Sequence, residues 1–243
     1  MSTTRATPVT WPTRLLGGAA LISLATTVVL GLGLPPTTEQ GVYARFLAIH
    51  PQVAWCSYLA FGVTALASAA YLVRKDVRWD HLAGASAEVG VVFTALTLVT
   101  GSIWGRRTWG VWWAWDARMT FTALLLFLYL GYLALRRVAA DPGTRARRSA
   151  VAGLLAVLVV PVDHYAVEWW RTLHQKSSFN LTPKEQLDGS YIAVMLLGFG
   201  AMTMAFAWLV VQRYRLERRR DEAGDAELEA AIAERRAEAV VAP

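Results

Sequence analysis

The chain has 243 residues, of which 55% are hydrophobic and only 17% are charged. Soluble domains carry about 25% charged residues, so this composition argues against an ordinary soluble protein. The single cysteine, Cys56, excludes an internal disulfide and a cysteine-based zinc or iron–sulfur site within one chain. Because Cys56 falls inside an apolar stretch, we interpret it as a packing residue.

Apolar stretches predict an all-α membrane protein with six transmembrane helices. Crossing the hydrocarbon layer takes about 20 apolar residues. Five stretches qualify, at residues 15–38, 46–73, 82–105, 119–135 and 190–212. A sixth, residues 149–162, is shorter and leaves a re-entrant segment as the alternative to a span. The predicted organisation is an N-terminal segment of residues 1–14, a membrane domain of residues 15–215 and a charged tail of residues 216–243.

The distribution of basic residues predicts the orientation in the membrane. Successive segments between spans lie on opposite sides of the membrane. With this alternation, 17 of the 24 Lys and Arg residues lie on the same side as the two termini. Lys and Arg concentrate on the cytoplasmic side of membrane proteins, so both termini are predicted to be cytoplasmic. Such basic runs suit anionic lipid head groups and give little reason to expect nucleic acid as a partner.

The predicted outer segments are rich in tryptophan. Seven of the eleven tryptophans lie in the second and third outer segments, and five of them fall within residues 104–118. An aromatic belt would scatter tryptophans over helix ends at both faces, whereas these lie at one face only. Helical spacing relates four residues of the second segment, Trp109, Trp112, Trp113 and Asp116. This spacing predicts a short interfacial helix in the second outer loop.

Heme matches the residue types of these segments. Indoles stack on a planar macrocycle, guanidinium groups pair with carboxylates such as propionates, and imidazoles ligate iron. His50 and His174 lie just outside predicted spans at the outer face, whereas His81 lies a membrane thickness away. His164, at the outer end of the fifth span, is the competing candidate for an iron ligand. For each of these histidines, a purely structural role stays open as the alternative. The candidate partners of carboxylates are Arg106, Arg107, Arg118 and Arg171.

Three runs of the sequence resemble a known family. Residues 109–118, WGVWWAWDAR, are similar to the tryptophan-rich "WWD" signature of heme-handling membrane proteins in cytochrome c biogenesis. Residues 48–55 and 167–175, which contain His50 and His174, resemble runs of one member of that superfamily, the cytochrome c maturation protein C family. The resemblance covers roughly residues 14–215 and includes the six-span plan. The long charged tail after Arg215 departs from the family pattern.

The resemblance implies a heme site at the periplasmic membrane face. His50 and His174 would be the two axial ligands of the iron in a heme b that is held transiently and without a covalent bond. The other residues of the implied site are Trp55, Trp109, Trp112, Trp113, Trp115, Asp116, Arg118, Trp169, Trp170 and Arg171.

The resemblance also implies a function and partners. The family presents heme to a periplasmic heme chaperone for c-type cytochrome biogenesis. It works beside the ATPase and permease subunits of an ABC transporter and a small single-span membrane subunit. This implies a transfer protein rather than an enzyme, and the sequence contains no Walker motif that would bind ATP.

Two other functions stay open as alternatives. A bis-histidine membrane cytochrome that passes electrons to quinone would be expected to carry its histidines inside facing spans. A transporter permease would carry an aromatic belt and no heme. A metalloprotease is disfavoured because the sequence contains no His-Glu-x-x-His motif.

Three further polar or helix-breaking residues carry expectations. Glu88, inside the third span, is expected either to pack or to mark a route for heme or protons. Asp116 is expected to cap the fourth span or to pair with Arg118. Pro161 is expected to end or kink the fifth span near the outer face.

Overall fold

The computed structural model describes residues 10–138, 141–174 and 187–241, without the side chains of residues 237–241. Arg5, Lys176 and Lys184, which entered the count of basic residues, lie outside these ranges, as does Gln175. The described chain is almost entirely helical and forms no β-strand. This confirms the predicted all-α class.

Six helical segments are long and apolar enough to cross a membrane, as predicted. We number the helices α1 to α7, because the fifth span consists of two. They are α1 (Trp11–Gly33), α2 (His50–Arg74), α3 (Val77–Thr108), α4 (Ala117–Val138), α5 (Pro142–Ala156), α6 (Val159–Trp169) and α7 (Gly189–Val241), with a 3-10 helix, Val42–Ala48, before α2. The outer end of the bundle is here the end opposite to the two chain termini.

The fifth span consists of two helices, α5 and α6, which together are long enough to cross a membrane. Proline has no backbone N–H, so Pro161 cannot donate to the carbonyl of Val157 one turn earlier. The helix breaks at Val157 and Leu158, where the N–H of Val160 bonds to the Val157 carbonyl instead. The interruption expected from Pro161 is therefore present, between α5 and α6.

Helices α2 and α3 form the centre of the bundle and pack closely. A Cβ atom added at Gly90 would lie 2.8 Å from the Cβ of Ala60, so glycine is required for this approach. The ring of Phe61 stacks on Tyr129 of α4 with a centroid separation of 3.6 Å. Helix α1 packs mainly along α7. The outer ends of α2, α3, α4 and α6 are thereby brought together.

Ion pairs join the helices near the end that carries the termini. Glu88 of α3 pairs with Arg213 of α7, which favours the packing interpretation of Glu88. His81 is buried, with its Nε2 atom 2.6 Å from a carboxylate oxygen of Asp221. Helix α7 continues without a break from the membrane part into the tail. The domain limits at residues 15 and 215 stay a prediction.

The second outer segment does not form the predicted interfacial helix. Helix α3 continues to Thr108, and residues 109–116 are irregular until α4 begins at Ala117. Gly110 has a φ of 79°, the left-handed conformation that commonly ends a helix. The guanidinium of Arg106 also donates to the Gly110 carbonyl over 2.6 Å. The helical spacing of the tryptophans was therefore misleading, because the glycine between them redirects the backbone.

Candidate functional site

A cavity of about 640 Å³ lies at the outer end of the bundle. Ligand pockets typically measure roughly 300–1,000 Å³, so this cavity can take a ligand the size of a macrocycle. Its walls come from the beginnings of α2, α4 and α7 and from the ends of α3 and α6. Five residues of the predicted site line it: His50, Trp55, Trp109, Arg118 and His174.

His50 is the first residue of α2, rather than a loop residue just before the span. Its Nδ1 atom lies 2.9 Å from the hydroxyl oxygen of Thr100 in α3. The same hydroxyl lies 2.8 Å from the carbonyl of Leu96, which can only accept a hydrogen bond. When the hydroxyl proton is directed at Leu96, Nδ1 of the neutral His50 ring donates to Thr100, and the Nε2 lone pair is available.

His174 lies in the irregular segment after α6. Its Nδ1 atom is 3.1 Å from a carboxylate oxygen of Asp116. An ionised carboxylate only accepts hydrogen bonds, so Nδ1 carries a proton and Nε2 of His174 is available as well in the neutral ring. The two histidines that the sequence singled out therefore line one cavity, each with one ring nitrogen fixed by an oxygen.

Asp116 connects His174 to the start of α4. Its second carboxylate oxygen accepts from the backbone N–H of Met119 over 2.8 Å, so the expected capping of the fourth span is present. The N–H of Leu173 also donates to Asp116, over 3.1 Å. Burial alone would raise the pKa of Asp116, but the hydrogen bonds from His174 and the two backbone groups outweigh it and hold that pKa below its usual value. The carboxylate therefore stays ionised at neutral pH and orients the His174 ring.

Three tryptophans contribute to the cavity wall. The Trp109 ring meets the His174 ring edge to face, with 4.8 Å between centroids. Trp55 donates from its indole nitrogen to the hydroxyl of Thr203 in α7 over 3.1 Å. Trp104, which the predicted site did not include, packs edge to face against His50 at 5.6 Å. Aromatic rings thus flank both histidines.

The other predicted residues lie outside the cavity wall, and several of them are exposed at the outer end. Trp112 and Trp115 have 60% and 82% of their surface exposed. Trp169 is also exposed, and it stacks on Tyr165, which does line the cavity. The remaining predicted residues outside the wall are Trp113, Asp116, Trp170 and Arg171. The predicted site residues therefore fall into two groups, those in the cavity wall and those exposed outside it. We call the exposed tryptophans, Trp112, Trp115, Trp169 and Trp170, the aromatic rim.

Arginine side chains of this end are engaged in different ways. Arg118 lines the cavity and donates to the carbonyl of His164 over 3.0 Å. Arg106 holds the Gly110 carbonyl, and Arg107 lies over the ring of Tyr43. Among the four arginines predicted to meet a carboxylate, only Arg118 reaches the cavity wall in the described structure.

His164, the competing candidate, also lines the cavity. Its ring meets Tyr58 and Tyr165 edge to face, at 5.9 Å and 5.0 Å between centroids. Within the described ranges its ring nitrogens have no hydrogen bond to fix them, unlike those of His50 and His174.

The sequence interpretation missed several wall residues. Apart from Trp104, they include Tyr58, Tyr165, Glu168, Met195 and Phe199. Trp104 belongs to the tryptophan-rich segment and could have been included on that ground. The others come from separate helices, and only the packing of those helices brings them together.

Comparisons with known proteins agree with the resemblance noted in the sequence. A family model described as Heme exporter protein C matches residues 4–229. Heme exporter protein C of Bradyrhizobium diazoefficiens is 38% identical over 216 residues, which cover 85% of this chain and 82% of that protein. The protein of the same name from Haemophilus influenzae is 37% identical over 212 residues, with 84% and 85% covered.

A plant relative extends the similarity to mitochondria. A ccmC-like mitochondrial protein of Arabidopsis thaliana, whose name refers to cytochrome c biosynthesis, is 34% identical over 168 residues. The match covers 69% of this chain and 63% of that protein. By the family model and by these relatives, this multi-pass membrane chain belongs to the heme exporter protein C family.

Proposed function

We propose that the chain binds heme b at the periplasmic face of the inner membrane and presents it to a periplasmic heme chaperone for c-type cytochrome biogenesis. Two of the relatives are named for heme export, and a third is named for cytochrome c biosynthesis. The observation that carries the proposal is the pair His50 and His174, which line one cavity with their Nδ1 atoms fixed. Metal-ligating histidines usually donate their second N–H to such an oxygen acceptor.

The residues of the cavity fit a heme group. Heme supplies an iron that is already held by four ring nitrogens and takes axial ligands from the protein. The described residues contain no cluster of three or more His, Cys, Asp or Glu side chains that could hold a bare metal ion. Two histidines suffice for a ring-bound iron, however, and the aromatic wall suits the flat faces of a macrocycle. Arg118 offers a guanidinium for a propionate.

The exposed aromatic rim suggests where a partner would approach. Trp112, Trp115, Trp169 and Trp170 are exposed next to the cavity residues Trp109 and Tyr165. Tryptophan is enriched at protein interfaces, because it buries a large area at small entropic cost. We propose that this rim receives the heme chaperone, while the cavity holds the heme until it is handed over.

We also propose the remaining partners and the setting. The chain would act in a bacterial inner membrane, with its termini in the cytoplasm and the cavity facing the periplasm. It would work with the ATPase and permease subunits of an ABC transporter and with a small single-span subunit. ATP hydrolysis would take place in the ATPase rather than in this chain.

Absorption spectra of the purified protein test this proposal. The full chain is purified in mild detergent with ample heme supply, and its reduced spectrum is compared with those of H50A, H174A and the matched variant H164A. We expect a bis-histidine spectrum for the wild type and H164A, and loss of that spectrum in the other two variants. Absence of heme from the wild type, or full heme occupancy in both H50A and H174A, would overturn the axial pair. Rapid electron exchange with a quinone would favour a membrane cytochrome instead.

A further inference from the structure

A second, smaller pocket of about 80 Å³ lies deeper in the bundle, below the cavity. The two share six wall residues, which are His50, Ala54, Tyr58, Gly101, Arg118 and His174. The wall of the small pocket is rich in hydroxyl groups, from Ser57, Tyr58, Thr94, Thr97 and Thr122. Arg118 and Asp163 are the two Arg, Lys, Asp or Glu residues that line it in the described structure.

Asp163 is a buried carboxyl group in α6, within the helical segment that is long and apolar enough to form the fifth span, with 1% of its surface exposed. The hydroxyl of Tyr58 in α2 donates to one of its oxygens over 2.5 Å. The hydroxyl of Thr122 in α4 lies 3.0 Å from the other. An ionisable group at such a position is costly and is expected to have a functional reason.

Arg118 lines both the small pocket and the cavity. Its guanidinium donates to the carbonyl of His164, the residue that follows Asp163 in α6, over 3.0 Å. Thr122 follows Arg118 by one turn of α4, and its hydroxyl donates to the backbone carbonyl of Arg118 over 2.9 Å. Arg118 therefore shares the small pocket with the Asp163 carboxyl group and also reaches the cavity that would hold a ligand.

We propose that Asp163 is the counter-ion of Arg118 and weakens the hold of the cavity on a carboxylate-bearing ligand, so that the ligand can be released. An arginine pairs strongly with a carboxylate, and more so where water is excluded. A second carboxylate below the arginine opposes that attraction. Such a device suits a site that must give its ligand away, and in this respect the inference rests on the proposed function.

Two iron-free porphyrins separate charge from shape. Protoporphyrin IX carries two carboxylates, and its dimethyl ester has the same ring without those charges. Binding of each to the full chain in detergent is measured by fluorescence titration, for the wild type and D163N. We expect D163N to bind the diacid about tenfold more tightly, which corresponds to about 1.4 kcal/mol. The affinity for the diester should stay unchanged.

Control variants protect the interpretation. T122V removes a hydroxyl that contacts Asp163 but keeps the charge, and D163E keeps the charge in a longer side chain. Both are expected to show the wild-type ratio of diacid to diester affinity. Asn at position 163 still accepts a hydrogen bond from Tyr58, and D163S removes the same charge if the Asn variant does not purify.

Each contrary result is informative. Equal diacid affinity of D163N and the wild type would overturn the proposal. An equal gain for diacid and diester would also overturn it, because it would report a changed cavity shape. Since neither probe contains iron, the result does not depend on axial ligation by His50 and His174. Failure of the absorption experiment would therefore be distinguishable from failure of this inference.

Discussion

The carboxylate of Asp116 holds the ring of His174 over 3.1 Å and caps α4 with its other oxygen. One residue thus couples the position of a candidate ligand to the start of a transmembrane helix. Outer-shell partners of this kind orient the ligating ring and raise its basicity. His50 has a corresponding partner in Thr100, so both rings are held before any ligand arrives.

Replacement of this carboxylate is expected to weaken heme binding more than it destabilises the protein. In D116N the Asn side chain can still cap α4, because Asn and Asp are comparable N-cap residues. The charged acceptor for His174 is lost, and such losses typically cost about 10–100-fold in metal affinity. Hemin titration of the purified variant measures this loss.

Asp141 offers a matched control for that experiment. It caps α5 by accepting from the Thr144 N–H over 2.6 Å, and it does not line the cavity. D141N should therefore bind hemin with wild-type affinity. A wild-type hemin affinity of D116N as well would show that the contact between Asp116 and His174 does not support ligation.

The glycine at position 101 is expected to set the position of the His50 ring. A Cβ atom added there would lie 3.0 Å from Cε1 of His50, which is closer than side chains normally approach. G101A should displace the imidazole, disturb its hydrogen bond to Thr100 and lower hemin affinity by roughly tenfold, about 1.4 kcal/mol. The measurement is a hemin titration followed in the Soret band.

Gly62 of α2 provides the comparison, because an added Cβ there meets nothing within 4 Å. Alanine is favoured over glycine inside a helix by roughly 0.5–1 kcal/mol, so G62A should keep hemin affinity without loss of stability. If both alanine variants bound hemin alike, the space beside His50 would have no role in placing its ring.

The tryptophans are expected to divide into two functional groups. Trp109 contacts His174 in the cavity wall, so W109A should lower hemin affinity in the purified protein. Trp115 is 82% exposed, so W115A should leave that affinity within about twofold. If the rim receives a partner, W115A should instead slow heme transfer to the periplasmic chaperone in a reconstituted assay. A larger loss of hemin affinity in W115A than in W109A would contradict this division.

Much of the architecture followed from the sequence, because hydropathy and charge act over whole segments. Helices that cross a lipid bilayer must be long and apolar, so the six spans could be predicted from the sequence. The predicted topology also placed His50 and His174 at the same outer end. The irregular segment after Trp109 was not predicted, since the left-handed Gly110 overrides the helical spacing of its neighbours. Nor were Tyr58 and Phe199 placed at the cavity, because they lie far apart in sequence and meet only through helix packing.

The ion pair between Glu88 and Arg213 is expected to support stability rather than heme binding. The two residues join α3 to α7 far from the cavity, and Arg213 also lies 3.7 Å from Glu217. E88Q keeps the shape of the side chain but leaves Arg213 with only the weaker of its two partners. We expect a loss of about 1 kcal/mol in stability, seen as a lower midpoint of thermal unfolding in detergent.

Hemin affinity of E88Q should be unchanged, because a packing role of Glu88 does not affect the histidines of the cavity. E217Q is the matched variant, since it removes the longer contact to Arg213 together with an exposed contact to Arg220 at 3.9 Å, and it should have the smaller effect. A large loss of heme loading in E88Q at wild-type thermal stability would instead place Glu88 on a route for heme or protons.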